Sequence, residues 1–297
     1  MSGFHRRMGA FEIGRVEEVV CPLTQPRQWF GDCDQAVLRE ALAALPAGYY
    51  DPTSQYLTSS FHSWVLRVGG KTILIDTCSG NHKDRPSFPI FHMLNQPYLQ
   101  RLKDIGVRPE DVDVVMCTHL HGDHVGWNTQ LGDGRWVPTF PNARYLMGRR
   151  ELEWFQAHVT RPDTAALEVN TYNDSVLPVV EAEQVELVGD DAEIVPGLRI
   201  WPTPGHTPGH LGVKLESGGE RALFCGDALH FPLQIPLWHW PTLVDKDPAQ
   251  GAATRGEIVK HCAEKGALLL PAHFLAPYGG YVSERAEQFS ISFDGVR

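Results

Sequence analysis

The sequence predicts an α/β fold in which strands carry polar, chemically able side chains at their ends. Three observations predict it. Short apolar, β-branched runs alternate with stretches of helical periodicity along the chain. One such run, 112–117, leads directly into Thr118-His119-Leu120-His121-Gly122-Asp123-His124. Three later runs end at or beside His206, Asp227 and His273. The 297 residues hold enough material for one large domain or two modest ones. No low-complexity linker and no repeat of solenoid period interrupts them. We therefore expect a single domain over 1–297 with an N-terminal arm over about 1–55.

Residues 11–20 read as a first strand, and 34–45 as a short helix behind an Asp34 N-cap. The Pro- and Trp-containing stretch between them is irregular, and either an arm over a site rim or a dimer contact suits it. Residues 62–68 and 72–75 are strands joined over Gly69-Gly70, a hairpin signal. The second ends in Ile75-Asp76-Thr77. Residues 81–96, rich in Pro, Phe and His, read as a loop, and 97–105 as a helix leading into the 112–117 strand. Beyond the His/Asp cluster follow a strand at 143–147, a helix at 150–158, irregular and helical material from 161, and a strand at 185–188. The strand 198–201 runs into Thr203-Pro204-Gly205-His206-Thr207-Pro208-Gly209-His210, a tight turn with His206 at its apex. Strands at 209–215, 221–227 and 267–273 follow. The amphipathic helix at 252–264 reads as outer-layer packing.

The central cluster has the spacing that metal binding needs. His119 and His121 lie two apart, so in extended backbone their side chains point the same way and converge on one ion. Asp123 and His124 are adjacent and diverge from that pair, which suits a second ion beside the first. Gly122 and Gly126 let the backbone turn tightly. Imidazoles and a carboxylate without clustered thiolates favour zinc or another divalent first-row metal. A single histidine at a strand end would carry none of this weight; four donors in six positions do.

A formal net charge of −10 and the absence of a basic tract exclude a nucleic-acid partner. Hydrophobic content of 42% and charged content of 21% are those of an ordinary globular enzyme. No apolar stretch is long enough to span a membrane. No secretory h-region follows the charged first ten residues. The six cysteines are scattered without a CxxC pair, and most read as small buried residues in a reducing compartment, so a cytoplasmic location is expected.

Taken together, His119-x-His121-x-Asp123-His124, then His206, Asp227 and His273, with the early Asp76, resemble the motif set of the metallo-β-lactamase-fold hydrolase superfamily, in that family's order. The resemblance covers about 61–273. It implies an αββα sandwich of two mixed sheets with outer helices and a metal site at one edge. It also implies a ligand assignment: His119, His121 and His206 on one ion, Asp123, His124 and His273 on the other, Asp227 bridging, and Asp76 orienting a ligand from behind. His210 falls outside this ligand set. The common β-lactamase subclass carries Cys where Asp227 stands. Flavodiiron proteins carry an acid in place of His121. Glyoxalase II adds a C-terminal helical domain for which 274–297 is too short. The lactonase, aryl-esterase and methyl-parathion-hydrolase-like branch resembles this chain best, through Gly226-Asp227-Ala228-Leu229-His230, Asp245-x-Asp247-Pro248 and Arg255. Acyl-homoserine lactonases place Tyr where His230 stands here.

The resemblance implies a hydrolase with two divalent ions, most simply Zn²⁺, although manganese, iron or cobalt accept the same ligands. Water shared between two such ions ionises near pH 7 and can attack a carbonyl carbon as bridging hydroxide. Asp123 is the candidate proton carrier, Asp227 the bridging carboxylate, and His230 a hydrogen-bond donor to the substrate oxygen. The expected substrate is a small hydrophobic ester or lactone. A phosphotriester or a halogenated substrate for a hydrolytic dehalogenase is the alternative, and a non-catalytic ligand-binding relative is the reading from a different class. An aromatic set, Trp127, Phe231, Leu237, Trp238, His239 and Trp240, with Phe88, Phe91 and Met93, suits an apolar wall for the substrate or a homodimer contact.

Overall fold

The computed structural model describes residues 4–296. Positions 1–3 and 297, counted within the expected domain, lie outside the described residues. The described chain falls into two compact units, one of residues 4–19 with 61–192, the other of 20–60 with 193–296.

The first unit is built on a mixed sheet in the order His5–Met8, Phe11–Thr24, Tyr56–Val68, Lys71–Ile75, Val114–Met116, Arg144–Gly148, Val185–Val188. Phe11–Thr24 and Tyr56–Val68 run on into the second unit, where Tyr50–Asp51 pairs beside the latter. Tyr56–Val68 turns back into Lys71–Ile75, with Val68 opposite Lys71 across the Gly69-Gly70 turn. The last four strands of the sheet are parallel. That arrangement requires crossover connections and collects loops at the carboxyl ends of the strands. The loops after Ile75 and Met116, which carry Asp76 and the His/Asp cluster, therefore leave the sheet at the same edge. Val65, Leu74, Val115, Tyr145, Leu152, Phe155 and Val179 belong to the buried core of this unit. Strand, loop and helix expected at 62–75, 81–96 and 97–105 are present, the helix as Tyr98–Asp104.

The helical material after Arg161 has a physical explanation. Ala166–Thr171, a π-helical turn Tyr172–Val176, and Leu177–Glu181 succeed one another. Pro178 has no N–H to give the carbonyl of Asp174 four residues earlier. That carbonyl instead accepts Lys83 Nζ at 2.8 Å and the Thr129 hydroxyl. The Asp174 carboxylate takes Arg85 at 2.6 and 2.8 Å. Lys83 also lies 3.5 Å from the Trp136 ring centre. Burial presses the Lys83 ammonium down to about 7, against the pull of Asp174. This buried group fixes the 81–96 loop in place.

The second unit carries a seven-stranded mixed sheet, Glu193–Val195, Leu198–Pro202, Leu211–Ser217, Glu220–Phe224, Leu268–Leu270, Gly280–Arg285, Gln288–Ser292. Leu198–Pro202 and Glu220–Phe224 are both antiparallel to the strand between them, and Glu220–Phe224 is parallel to Leu268–Leu270. All three thus point the same way, and their ends deliver His206, Asp227 and His273 to one edge. The helix Pro248–Lys265 starts on Asp247, whose side chain caps the Gln250 N–H, and stops at Gly266 in the left-handed region. Its Ile258, Val259 and Cys262 pack against Leu223 and Leu269. The C-terminal hairpin was not expected from the sequence. Its turn, Ala286-Glu287, has positive φ at both residues but no Gly or Asn to announce it. A further two-stranded sheet, Thr129–Gly132 with Arg135–Pro138, was also not expected. Among the described residues no helix is long and apolar enough to cross a membrane.

Candidate metal centre

In the first unit the ligand loop is held from behind by Asp76. This residue sits at φ +59°, a strained backbone for a residue with a side chain. One of its oxygens accepts the Thr118 N–H at 2.8 Å and the other faces His124 Nδ1 at 2.9 Å. Thr118 Oγ1 meets His119 Nδ1 at 3.1 Å. The rings of His119 and His121 lie 4.6 Å apart, and those of His119 and His124 4.1 Å. Asp123 Oδ2 is 3.6 Å from His124 Nε2. His119 with His121, and Asp123 with His124, each bring ligand atoms within 4.8 Å of one another.

The ligand loop packs against the loop after Asp76 with no room for side chains. A Cβ on Gly126 would fall 1.8 Å from the Ser79 carbonyl oxygen, so only glycine allows the approach. A residue the sequence reading missed locks the same contact. Glu18, fully buried, accepts the N–H groups of Ser79 and Gly80 at 2.8 and 3.0 Å and Trp127 Nε1 at 2.6 Å. Burial lifts its pKa above 4.5 even though these donors pull it down. The signal lay in the alternation of Phe11–Thr24, where inward positions switch from Phe11 and Ile13 to Val16 and Glu18. Glu18→Ala leaves three buried donors without their acceptor and is expected to cost about 3 kcal/mol in urea unfolding. A loss below about 1 kcal/mol would contradict the assignment.

In the second unit Asp227 is the hub. Its Oδ2 lies 3.4 Å from His206 Nε2 and its Oδ1 3.0 Å from His273 Nε2. One carboxylate therefore turns a different oxygen to each of two histidines. His210 is structural: its Nε2 accepts the Asp227 N–H at 3.1 Å while Nδ1 meets Thr203 Oγ1 at 2.7 Å. It ties the His206 turn to Asp227. His230 Nε2 lies 2.9 Å from Asp227 Oδ2, and its ring stacks over His273 at 5.3 Å and meets Trp29 edge-on at 4.6 Å. Burial holds His230 down at about 4, against the charge of Asp227, so it is neutral near pH 7.

The aromatic set divides. Trp127 is a core residue stacked on Tyr98 at 5.2 Å. Phe231 and Leu237 are buried with Trp29, Tyr49 and Leu57. These three form no exposed wall. Trp238 and Trp240 are half-buried, and His239 and Met93 are exposed.

The donor set fits divalent cations. Four of the five candidate histidine ligands present Nδ1 to an oxygen: His119 to Thr118, His124 to Asp76, His206 to Asp245 at 3.4 Å, and His273 to the Ser60 carbonyl at 3.1 Å. An imidazole anchored through Nδ1 is set to offer the Nε2 lone pair to a metal, with its ring orientation fixed. Clustered histidines and carboxylates in this number, with four of the histidines facing an oxygen through Nδ1, fit a metal-binding site on a mixed α/β fold.

The chain belongs to the metallo-beta-lactamase superfamily, whose sequence pattern matches residues 62–273. An N-acyl homoserine lactonase of Bacillus thuringiensis subsp. kurstaki is 32% identical over 117 residues, which is 39% of this chain and 38% of that protein. The matched stretch thus spans well under half of that relative's length. Among solved structures, the hydrolase AbOPH of the beta lactamase superfamily superposes with a TM-score of 0.80 at 23% identity, covering 98% of this chain and 97% of that one. The dizinc quorum-quenching lactonase AidC does so at 0.77 and 20%, covering 99% and 98%. These likenesses show the same fold.

Proposed function

We propose that this protein is a dinuclear metal-dependent hydrolase that opens a lactone or cleaves a hydrophobic ester. In this reading His119, His121 and His206 hold one ion, Asp123, His124 and His273 the other, and Asp227 is shared. The observation that carries it is the split carboxylate of Asp227, one oxygen 3.4 Å from His206 Nε2 and the other 3.0 Å from His273 Nε2. Two divalent ions there would supply a Lewis acid for the carbonyl oxygen and water that ionises near neutral pH. The chain's own residues supply the rest. Asp227 fixes the spacing of the pair. Asp123, whose side chain is a fifth exposed, is placed to accept and return a proton. His230, whose Nε2 lies 2.9 Å from Asp227 Oδ2, would turn its one N–H from that carboxylate to the substrate oxygen. We keep the single-domain reading, since the family pattern runs through both compact units. The six cysteines form no disulfide and suit a reducing cytoplasm. The N-acyl homoserine lactonases among the relatives support lactones as the first substrate class to try.

The test is turnover of metal-replete protein on acyl homoserine lactones, γ-lactones, p-nitrophenyl esters and paraoxon-type triesters, with and without chelator. Lactone or ester hydrolysis that a chelator abolishes and zinc, manganese or cobalt restores is the expected result. Turnover confined to the triester favours the phosphotriesterase alternative. No turnover by protein carrying its full metal complement would point to a non-catalytic binding protein.

A further inference from the structure

We propose that Asp245 and Arg255 form a positioning pair that ties the ligand His206 to the aromatic segment 237–240, so that one buried ion pair sets both. The inference rests on the dinuclear reading above. Asp245 Oδ1 stands 3.4 Å from His206 Nδ1, and Oδ2 accepts Arg255 Nη1 at 2.8 Å. The other guanidinium donors go to backbone carbonyls of the aromatic segment, Nε to Trp238 at 3.2 Å and Nη2 to Trp240 at 2.7 Å. Both charged side chains are 1% exposed.

The backbone around the pair is built for this contact. The Lys246 and Asp247 N–H groups donate to the carbonyls of His206 and Gly205 at 3.1 and 3.0 Å, a short ladder beside the ligand turn. A Cβ on Gly205 would lie 2.4 Å from Gly251 Cα, and one on Gly251 would lie 2.4 Å from Asp245 Oδ2. Both positions admit only glycine, so turn, helix and carboxylate are in contact without slack. Arg255 itself sits on the buried face of Pro248–Lys265, the most regular element nearby.

Stability alone does not account for the arrangement, because a buried ion pair rarely outdoes apolar residues of similar volume. Its geometry does. A carboxylate on the Nδ1 side of a metal-binding histidine fixes its tautomer and aim and raises its basicity. Arg255 in turn fixes the carboxylate. The same guanidinium holds two carbonyls of a segment with no strand or helix of its own to pair with. Trp238 then lies against the helix at Gly256, where an added Cβ would sit 2.8 Å from its ring. Trp240 meets Phe30 edge-on at 5.7 Å.

The test compares wild type, Asp245→Asn and Arg255→Lys by zinc titration against a competing chelator, by kcat and KM on short and long acyl substrates, and by tryptophan emission. Wild type is expected to bind two ions. Asp245→Asn should weaken one of them about 10–100-fold and leave the other unchanged, with kcat falling more than KM rises. Arg255→Lys should leave both affinities within a few-fold. It should raise KM several-fold for long acyl chains only and shift tryptophan emission. A merely structural role would weaken both ions together. Wild-type affinity at both sites in a folded Asp245→Asn protein overturns the proposal. Should that variant not fold, unchanged emission and unchanged KM in Arg255→Lys overturn it. A wild-type chain that binds no zinc defeats the dinuclear reading instead, and that outcome is told apart by the unsubstituted protein alone.

Discussion

Asp227→Ala is expected to lower turnover by about 10³-fold or more, near 4 kcal/mol of transition-state stabilisation, and to release most of one ion. The expectation follows from the geometry of a single side chain. The two Asp227 oxygens face two histidines, at 3.4 Å on the His206 side and 3.0 Å on the His273 side. Under the dinuclear reading, a carboxylate so placed would hold two cations at a fixed spacing and offset part of their repulsion. Alanine would remove both effects at once, and Asp245, the carboxylate on the Nδ1 side of His206, is committed to Arg255. The fold should survive, because the strand before Asp227 is packed through Leu223 and Cys225 in the core. Metal content and kcat measured on the same preparation check this. Full activity with two ions in Asp227→Ala would refute the shared-ligand role.

Asp174→Ala should produce the largest loss of stability, about 3–5 kcal/mol, because it removes at once the carboxylate that pairs with both a buried Arg85 and a buried Lys83. Arg85 and Lys83 have side-chain exposures of 1% and 0%, so water cannot take over. The damage should also reach the ligand loop. A Cβ on Gly122 would fall 3.3 Å from Arg85 Nε, so the guanidinium lies directly beside the residue between His121 and Asp123. Urea unfolding of the metal-free protein measures the first effect and zinc affinity the second. A stability change below about 1 kcal/mol would mean that the cluster carries little weight.

Much of the candidate ligand set was legible because its chemistry is local. His119-x-His121-x-Asp123-His124 declares its two pairs by spacing alone, and the strand ends before His206, Asp227 and His273 declare themselves by apolar runs. What supports the ligands was far less legible, since it depends on pairs distant in sequence. Glu18 reaches Ser79 and Trp127 across the sheet, Arg85 finds Asp174, and Asp245 meets both His206 and Arg255. No spacing rule links such partners. The helix 248–265 illustrates the limit: its periodicity announced an outer packing helix, yet the face it buries includes Arg255. Trp127 and Phe231 show the converse. Their positions beside ligands suggested a substrate wall, but flat aromatic rings at strand exits fill core space first.

The most direct test of the central claim is a crystal of zinc-replete protein measured at the zinc absorption edge. Two anomalous peaks per chain are expected, one beside His119, His121 and His206, the other beside Asp123, His124 and His273, with Asp227 touching both. Peaks elsewhere, or none, would contradict it.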